Sequence, residues 1–366
     1  MCHHAGMTMH GGSGSARDAF EVEAGTTFLD VATYGLPPRD TVAAIERALA
    51  AWAHGTADWI EDWDRPAEDA RSAFAGLCGV PVASVALLPA VSVGTGLVAA
   101  ALRAGDEVLM PADEFTSVTF PFEVAAERGV TVRRAAIGSL ADAVMPRTTL
   151  VATSLVQMQT GLRADLPAIR EATDRVGARL LLDATQAIPF LRADEELATV
   201  DYVLSHGYKH LLCPRGAAFM AIRADRVPAM PPLNANWRAA RSPYADYFSE
   251  RLPLPESARR FDVSLAWHAW VGARVSLRQL LVWREAGAFD DVWALAELLS
   301  VEAGLGPAVS TLVCVPVGSP DDAAAALRAA GVRASVRGSS VRLSVHLWND
   351  ASDVRRALDV LAPFMP

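Results

Sequence analysis

The stretch RLLLDATQAIPFLRADEELATVDYVLSHGYKH (179–210) decides how this chain folds. It opens on an apolar run, RLLLD, and after a polar interval a second run, YVLSH, leads into GYKH. Short runs rich in Leu and Val, bounded by polar residues, read as strands buried on both faces. Asp183 closes the first run, and Lys209 follows the second. In a parallel sheet both side chains arrive at one rim, at the carboxyl ends of the strands, where open α/β sheets bind ligands. Lys209 is also the only lysine among 33 lysine and arginine positions. A guanidinium stays protonated and forms no imine, so a chain that uses arginine everywhere else has kept one primary amine for a separate job. That job is read as a Schiff base.

The same alternation continues outward from this pair. Strands are expected at SVALLP (84–89), EVLMP (107–111), TVRRA (131–135), LVATSLV (150–156), RLLLDATQ (179–186), DYVLSH (201–206) and AFMAI (218–222), with helices such as DLPAIREATDRVG (165–177) between several of them. The fold class is therefore α/β, a mostly parallel seven-stranded sheet flanked by helices. Residues 81–102 carry no charge, but Pro89, Gly94 and Gly96 interrupt them, so they read as strand, turn and helix rather than a membrane span. Beyond a Pro- and Trp-containing stretch near 228–258, helical patterning runs to about Ser300. A strand TLVCVPV (311–317), a helix DDAAAALRAAG (321–331), a strand VRLSVH (341–346) and a last helix from Ser352 follow. Three parts are expected: a tail and N-terminal arm (1–27), a large ligand-binding domain (28–258), and a linking helix with a small C-terminal α/β domain (259–366).

With 52% hydrophobic and 20% charged residues the chain is globular, and its formal charge of −9 argues against nucleic acid or anionic membrane as partner. Cys2, Cys78, Cys213 and Cys314 show no paired spacing, so neither a disulfide framework nor a zinc site is expected, and the cytoplasm is the expected compartment. Cys2, His3, His4 and His10 have the chemistry of transition-metal ligands, but the GGSGSA that follows them favours a flexible tail; no metal is expected.

A carboxylate at Asp183, an amine at Lys209 and an anion-binding turn at Ser92, all on one rim, are what pyridoxal 5′-phosphate needs. The carboxylate keeps a proton on the pyridine nitrogen, and the amine forms the imine. Here the chain resembles the class V aminotransferase superfamily of fold-type I PLP enzymes, in its kynureninase and isopenicillin-epimerase-like branch, from about Phe28 to the C-terminus. Asp183-Ala-Thr-Gln186 resembles that family's aspartate-x-x-glutamine, which implies Asp183 on the pyridine nitrogen and Gln186 on the phenolic oxygen. SHGYKHLLCPRG carries the lysine motif.

The resemblance implies further roles. In LLPAVSVGTGLV, Ser92 offers a hydroxyl and Val91 and Val93 their backbone N–H groups to the phosphate at a helix N-terminus, with Thr95 as an alternative hydroxyl. Phe115 covers the cofactor ring, and Gln157, preferred over Gln159, stands near a cofactor oxygen or the imine. His206 and Tyr208 contact the phosphate. Trp237 and Ser264 reach the phosphate of a neighbouring subunit, which implies a homodimer with shared active sites. Arg342 grips a substrate α-carboxylate, and Tyr34 with Gly35 closes over the substrate.

The implied substrate is an amino acid, deprotonated at Cα by Lys209 as general base. Aminotransferase is the specific expectation, with β-lyase (C–S or C–C cleavage) or epimerase as alternatives. A non-catalytic PLP sensor is disfavoured, because it has no need of a carboxylate grip at Arg342. A persulfide-forming desulfurase is disfavoured too: 318–340 contains no cysteine, Cys314 reads as a buried strand residue, and Cys213 lies behind the lysine.

Overall fold

The computed structural model describes residues 16–192, 196–245, 247–248, 250–251 and 253–366; the His-rich start lies outside them. Its strands are β1 (Thr27–Phe28), β2 (Val85–Leu88), β3 (Glu107–Pro111), β4 (Thr131–Ala135), β5 (Thr148–Ser154), β6 (Arg179–Asp183), β7 (Tyr202–His206), β8 (Ala218–Ile222), β9 (Leu312–Pro316), β10 (Val332–Arg333), β11 (Ser335–Arg337) and β12 (Ser340–Ser344). The helices are α1 (Arg39–His54), α2 (Pro66–Cys78), α3 (Val91–Ala100), α4 (Thr116–Ala126), α5 (Leu166–Val176), α6 (Trp267–Glu285), α7 (Ala288–Glu302), α8 (Pro320–Ala329) and α9 (Ala351–Leu361).

Seven strands form one sheet in the order β2-β8-β7-β6-β5-β3-β4. Only β8 runs against its neighbours, β2 and β7. Side chains alternate across the sheet, so Leu87, Leu109, Val151, Leu180, Leu182 and Phe219 enter one core. Leu88, Val108, Met110, Leu150, Leu181 and Met220 enter another. With helices on both sides, neither face tolerates polar residues, which is why these strands read as unbroken apolar runs. The exception is β4, one of the two edge strands, whose Arg133 reaches back to Glu107 at 3.1 Å.

Two local features position the ligand end of the sheet. Helix α3 lies close on β7 and β8 because residue 94 has no side chain: a Cβ there would run into Leu204 and sit 3.0 Å from Leu88 Cδ1 and 3.2 Å from Met220 Sδ. Helix α5 starts where expected, with the Asp165 carboxylate accepting the Ala168 N–H.

A second, three-stranded antiparallel sheet has the order β11-β12-β9. The N-terminal segment belongs beside it: β1 pairs in parallel with β10, Ser344 N–H donates to Leu29 O at 2.8 Å, and Trp348 Nε1 donates to Phe28 O at 2.8 Å. Helix α6 packs on α1 and α2. No described helix is long and apolar enough to cross a membrane.

Candidate active site

Asp183 ends β6 with its carboxylate buried. Oδ1 accepts both the N–H (2.9 Å) and the hydroxyl (2.5 Å) of Thr185. Oδ2 takes no hydrogen bond from the described residues. Burial raises the Asp183 pKa against the opposing pull of Thr185 and the Lys209 charge. A cationic N–H donor at Oδ2 reverses that penalty. Thr185 also accepts the His206 N–H at 3.0 Å, which ties the ends of β6 and β7 together.

Lys209 follows β7 on a tight loop, and Leu212, three residues on, adopts a left-handed conformation (φ 58°). The N-terminal segment closes this loop: Gly35 N–H donates to Tyr208 O at 2.9 Å, and a Cβ at residue 35 would collide with Lys209 O. The lysine is 5% exposed, its Nζ 5.6 Å from the centre of the Phe115 ring and 5.8 Å from that of Tyr208. Burial pulls its pKa down to about 8, opposed by Asp183 and assisted by Arg342 and Arg337. Lys209, Asp183, Phe115, Gln186 and His206 line one cleft, with Thr185, Ser154, Val156 and Met158 completing the wall.

The anion-binding end adjoins this cleft. Val91, Ser92 and Val93 are the first turn of α3, and the Val91 N–H meets His206 Nε2 at 3.4 Å. Burial and the nearby cations hold the His206 pKa at about 4, so its neutral ring is an acceptor there. Ser92 is exposed, whereas Thr95 is buried with its hydroxyl turned back to Val91 O at 3.2 Å. That leaves Ser92 as the hydroxyl of the first turn. Tyr208 stands 4.9 Å from the His206 ring, with the Arg215 guanidinium 5.0 Å over its own.

Gln157 does not line the cleft. Its amide is turned into the loop, Nε2 donating to Asp113 O at 3.0 Å and Oε1 accepting the Thr160 hydroxyl at 2.6 Å. Gln186 does line it. Its Oε1 accepts from His210 Nε2 at 3.0 Å and its Nε2 donates to Ala32 O at 3.1 Å, so the amide orientation is fixed with one N–H left over. Burial drives His210 well below the usual imidazole pKa, consistent with a neutral donor.

Arg342, on β12, is fully buried; its Nη2 holds Asp30 Oδ1 at 3.0 Å and Thr33 Oγ1 at 2.6 Å, and its Nη1 donates to Met158 O at 3.3 Å. Its Nε is buried without a partner. Tyr34, half-exposed, packs edge-on against Phe28 at 5.0 Å and lines a neighbouring pocket with Asp30 and Ser335. Trp237 lies in an aromatic cluster with Trp59 (5.8 Å), and Ser264 is exposed; neither lines this chain's own cleft. Cys314 is half-buried rather than buried. It faces Arg342 across the strands, donates to Gln159 O at 3.3 Å, and has its pKa pushed up to about 11 by burial.

Sequence reasoning missed Thr185, His210 and Glu114. Glu114 is buried beneath the cleft and accepts Ser154 N–H and hydroxyl (both 2.6 Å) and Phe115 N–H (2.7 Å). Thr185 was within the quoted motif, and a threonine two residues after a strand-ending aspartate is a local turn signal. His210 and Glu114 had no local signal.

A mostly parallel sheet with a buried lysine, an open aspartate oxygen and a helix N-terminus bearing an exposed serine on one rim defines a fold-type I PLP enzyme. The profile of the family described as aminotransferase class-V matches residues 36–258. The chain belongs to that family, and its cofactor is pyridoxal 5′-phosphate. An uncharacterized aminotransferase of Bacillus subtilis is 26% identical over 327 residues, 83% of this chain and 85% of the relative. Isopenicillin N epimerase of Streptomyces clavuligerus is 31% identical over 182 residues, 46% of each chain. Among solved structures, the cystine C–S lyase C-DES, as a variant with glycine covalently linked to its PLP cofactor, has the same fold: TM-score 0.84 at 22% identity, covering 95% of this chain and 99% of that one.

Proposed function

We propose that this enzyme transaminates an amino acid. The observation that carries the reading is the buried Lys209 amine, with its pKa down at about 8, on the same rim as the open oxygen of Asp183. An amine with that pKa has a far larger neutral fraction near physiological pH than an ordinary lysine and is matched to taking and returning a proton. Pyridoxal phosphate, when bound, supplies an aldehyde that captures amines and a ring that draws electrons away from Cα.

Asp183 Oδ2 would hold the proton of the ring nitrogen, while Thr185 fixes Oδ1. Gln186 gives its remaining N–H to the ring oxygen, and Phe115 covers the ring face. The Ser92 hydroxyl would hold the phosphate at the start of α3, joined by the Val91 and Val93 N–H groups once they leave His206 Nε2 and Ala90 O, with His206 and Tyr208 beside them. Arg342 takes the α-carboxylate, sharing its fork with Asp30. Lys209 Nζ would take the Cα proton and return it at the former aldehyde carbon of the cofactor rather than at Cα, the choice that separates transamination from epimerisation. The Cys314 thiol, raised to about 11 and bonded to Gln159 O, is a poor sulfur acceptor, which keeps a persulfide mechanism disfavoured.

A homodimer belongs to this reading, with Trp237 and Ser264 turned to the partner's phosphate and Tyr34 at the substrate entrance. So does a two-domain division with the cleft between the domains.

The test is to mix holoenzyme with single amino acids without a keto acid. Stoichiometric conversion of the cofactor to its amine form, with one equivalent of keto acid, is expected. Catalytic release of pyruvate from a β-substituted amino acid under those conditions would replace transamination by β-elimination, and scrambling at Cα alone would replace it by epimerisation.

A further inference from the structure

We propose that Arg337 forms a second anion subsite beside Arg342, so that the preferred substrates are amino acids with a carboxylate on the side chain. This rests on the proposed function, in which Arg342 takes the α-carboxylate, and extends it to the substrate class.

The strand register places Arg337. Residues directly opposed in an antiparallel pair point to the same face, and so do residues two apart along a strand. The pairs Ser335 with Arg342, Arg337 with Ser340 and Arg342 with Cys314 therefore put Arg337, Ser335, Arg342, Ser340 and Cys314 on one face. The opposite face carries Val313, Val315, Val341 and Leu343, all buried in the core. The polar face meets the loop that walls the cleft: Arg342 Nη1 reaches Met158 O and Cys314 Sγ reaches Gln159 O, both at 3.3 Å. Met158 lines the cleft with Lys209.

Charge on this face does not balance. Asp30 is already engaged, its Oδ1 by Arg342 (3.0 Å) and Thr33 (2.9 Å) and its Oδ2 by Ser335 (2.8 Å). Arg337 is half-buried, and its Nη1 donates to Val336 O at 2.7 Å. Among the described residues it has no carboxylate within ion-pair distance, and its Nε and Nη2 make no hydrogen bond. Both guanidinium charges are felt at Lys209 and at Cys314, which places Arg337 within electrostatic reach of the reacting amine. A partly desolvated guanidinium with no acid partner, on the face that meets the wall of the cleft, is completed by a planar anion that matches its fork. With the α-carboxylate on Arg342, the group that reaches Arg337 is a carboxylate on the same substrate. A neutral side chain leaves that guanidinium unpaired, so the site discriminates against it.

Calorimetric titration of the holoenzyme with unreactive acids tests this apart from catalysis. Succinate, glutarate and adipate are each compared with the monocarboxylate of equal length: butyrate, pentanoate and hexanoate. At least one dicarboxylate is expected to bind about tenfold or more tighter than its partner. Arg337→Gln should abolish that preference and leave monocarboxylate affinity within about twofold, whereas Arg337→Lys should keep part of it. Equal affinity of every pair in the unaltered enzyme, or an undiminished preference in Arg337→Gln, overturns the proposal. If the preference and its loss are seen but no amino acid aminates the cofactor, the proposed function fails alone. If amination occurs without any dicarboxylate preference, the Arg337 subsite fails alone.

Discussion

The rim of the seven-stranded sheet and the polar face of the three-stranded sheet both bear on Lys209, but they are prepared in opposite ways. On the rim, each group has one valence pinned and one left open: Thr185 holds one oxygen of Asp183, and His210 holds the amide of Gln186. Those partners lie two and twenty-four residues away, on or next to the same strand ends. On the polar face the charges answer one another across the chain, Arg342 pairing with Asp30, 312 residues earlier. At Asp183 and Gln186 the rim can receive a cofactor without breaking its hydrogen bonds, whereas at the phosphate end the Val91 N–H has to leave His206. The polar face holds a carboxylate already, so an incoming one has to share or displace it. A retained cofactor and an exchanging substrate call for that difference.

The largest test of the contrast falls on the rim. Lys209→Ala removes both the attachment point and the base, and turnover should drop at least about 10³-fold while far-UV circular dichroism stays native. Retained turnover would move the proton transfer elsewhere. On the polar face, Arg342→Ala should weaken amino acid binding by about 2–5 kcal/mol, read as a shift in the titration of the cofactor absorbance. Unchanged affinity would place the α-carboxylate on another group.

A smaller effect tests whether the rim depends on the placement of α3. Gly94→Ala forces a Cβ into Leu204 and should cost about 1–3 kcal/mol in urea unfolding of the apoprotein, with weaker cofactor retention. Gly96→Ala, with nothing within 4 Å, should be neutral or stabilising by up to about 1 kcal/mol. Equal behaviour of the two would sever the packing of α3 from the phosphate end. The smallest effect is a shifted pH midpoint. The neutral amine captures the aldehyde, so cofactor uptake by the apoprotein should accelerate as pH rises and level off above about 8, the pKa to which burial draws Lys209. A rate still climbing towards the ordinary lysine value of 10.5 would mean an exposed amine.

The same contrast explains what could be read from the sequence. The seven strands of the large sheet are local patterns, apolar runs of strand length between turn residues; six lie within about two residues of their expected bounds, and β6, expected to run to Gln186, ends at Asp183, where the chain turns through Thr185. Asp183 and Lys209 were legible because parallel topology sends strand ends to one rim. The pairing of β1 with β10 was not, since two residues carry no periodicity and the partner lies some 300 residues on. Gln157 was chosen because its neighbourhood matched a family segment, and the Thr160 hydroxyl and Asp113 carbonyl that turn its amide into the loop are revealed only by packing. Arg337 was passed over for a related reason. A lone arginine in a hairpin is unremarkable until its face, and the lack of an acid beside it, are known.

The central claim is that Lys209 carries the cofactor on this rim. Borohydride reduction of the holoenzyme followed by peptide mapping tests it most directly: a single phosphopyridoxyl adduct should map to Lys209 and be absent from Lys209→Ala. An adduct elsewhere, or a reducible chromophore that persists in the variant, would contradict it.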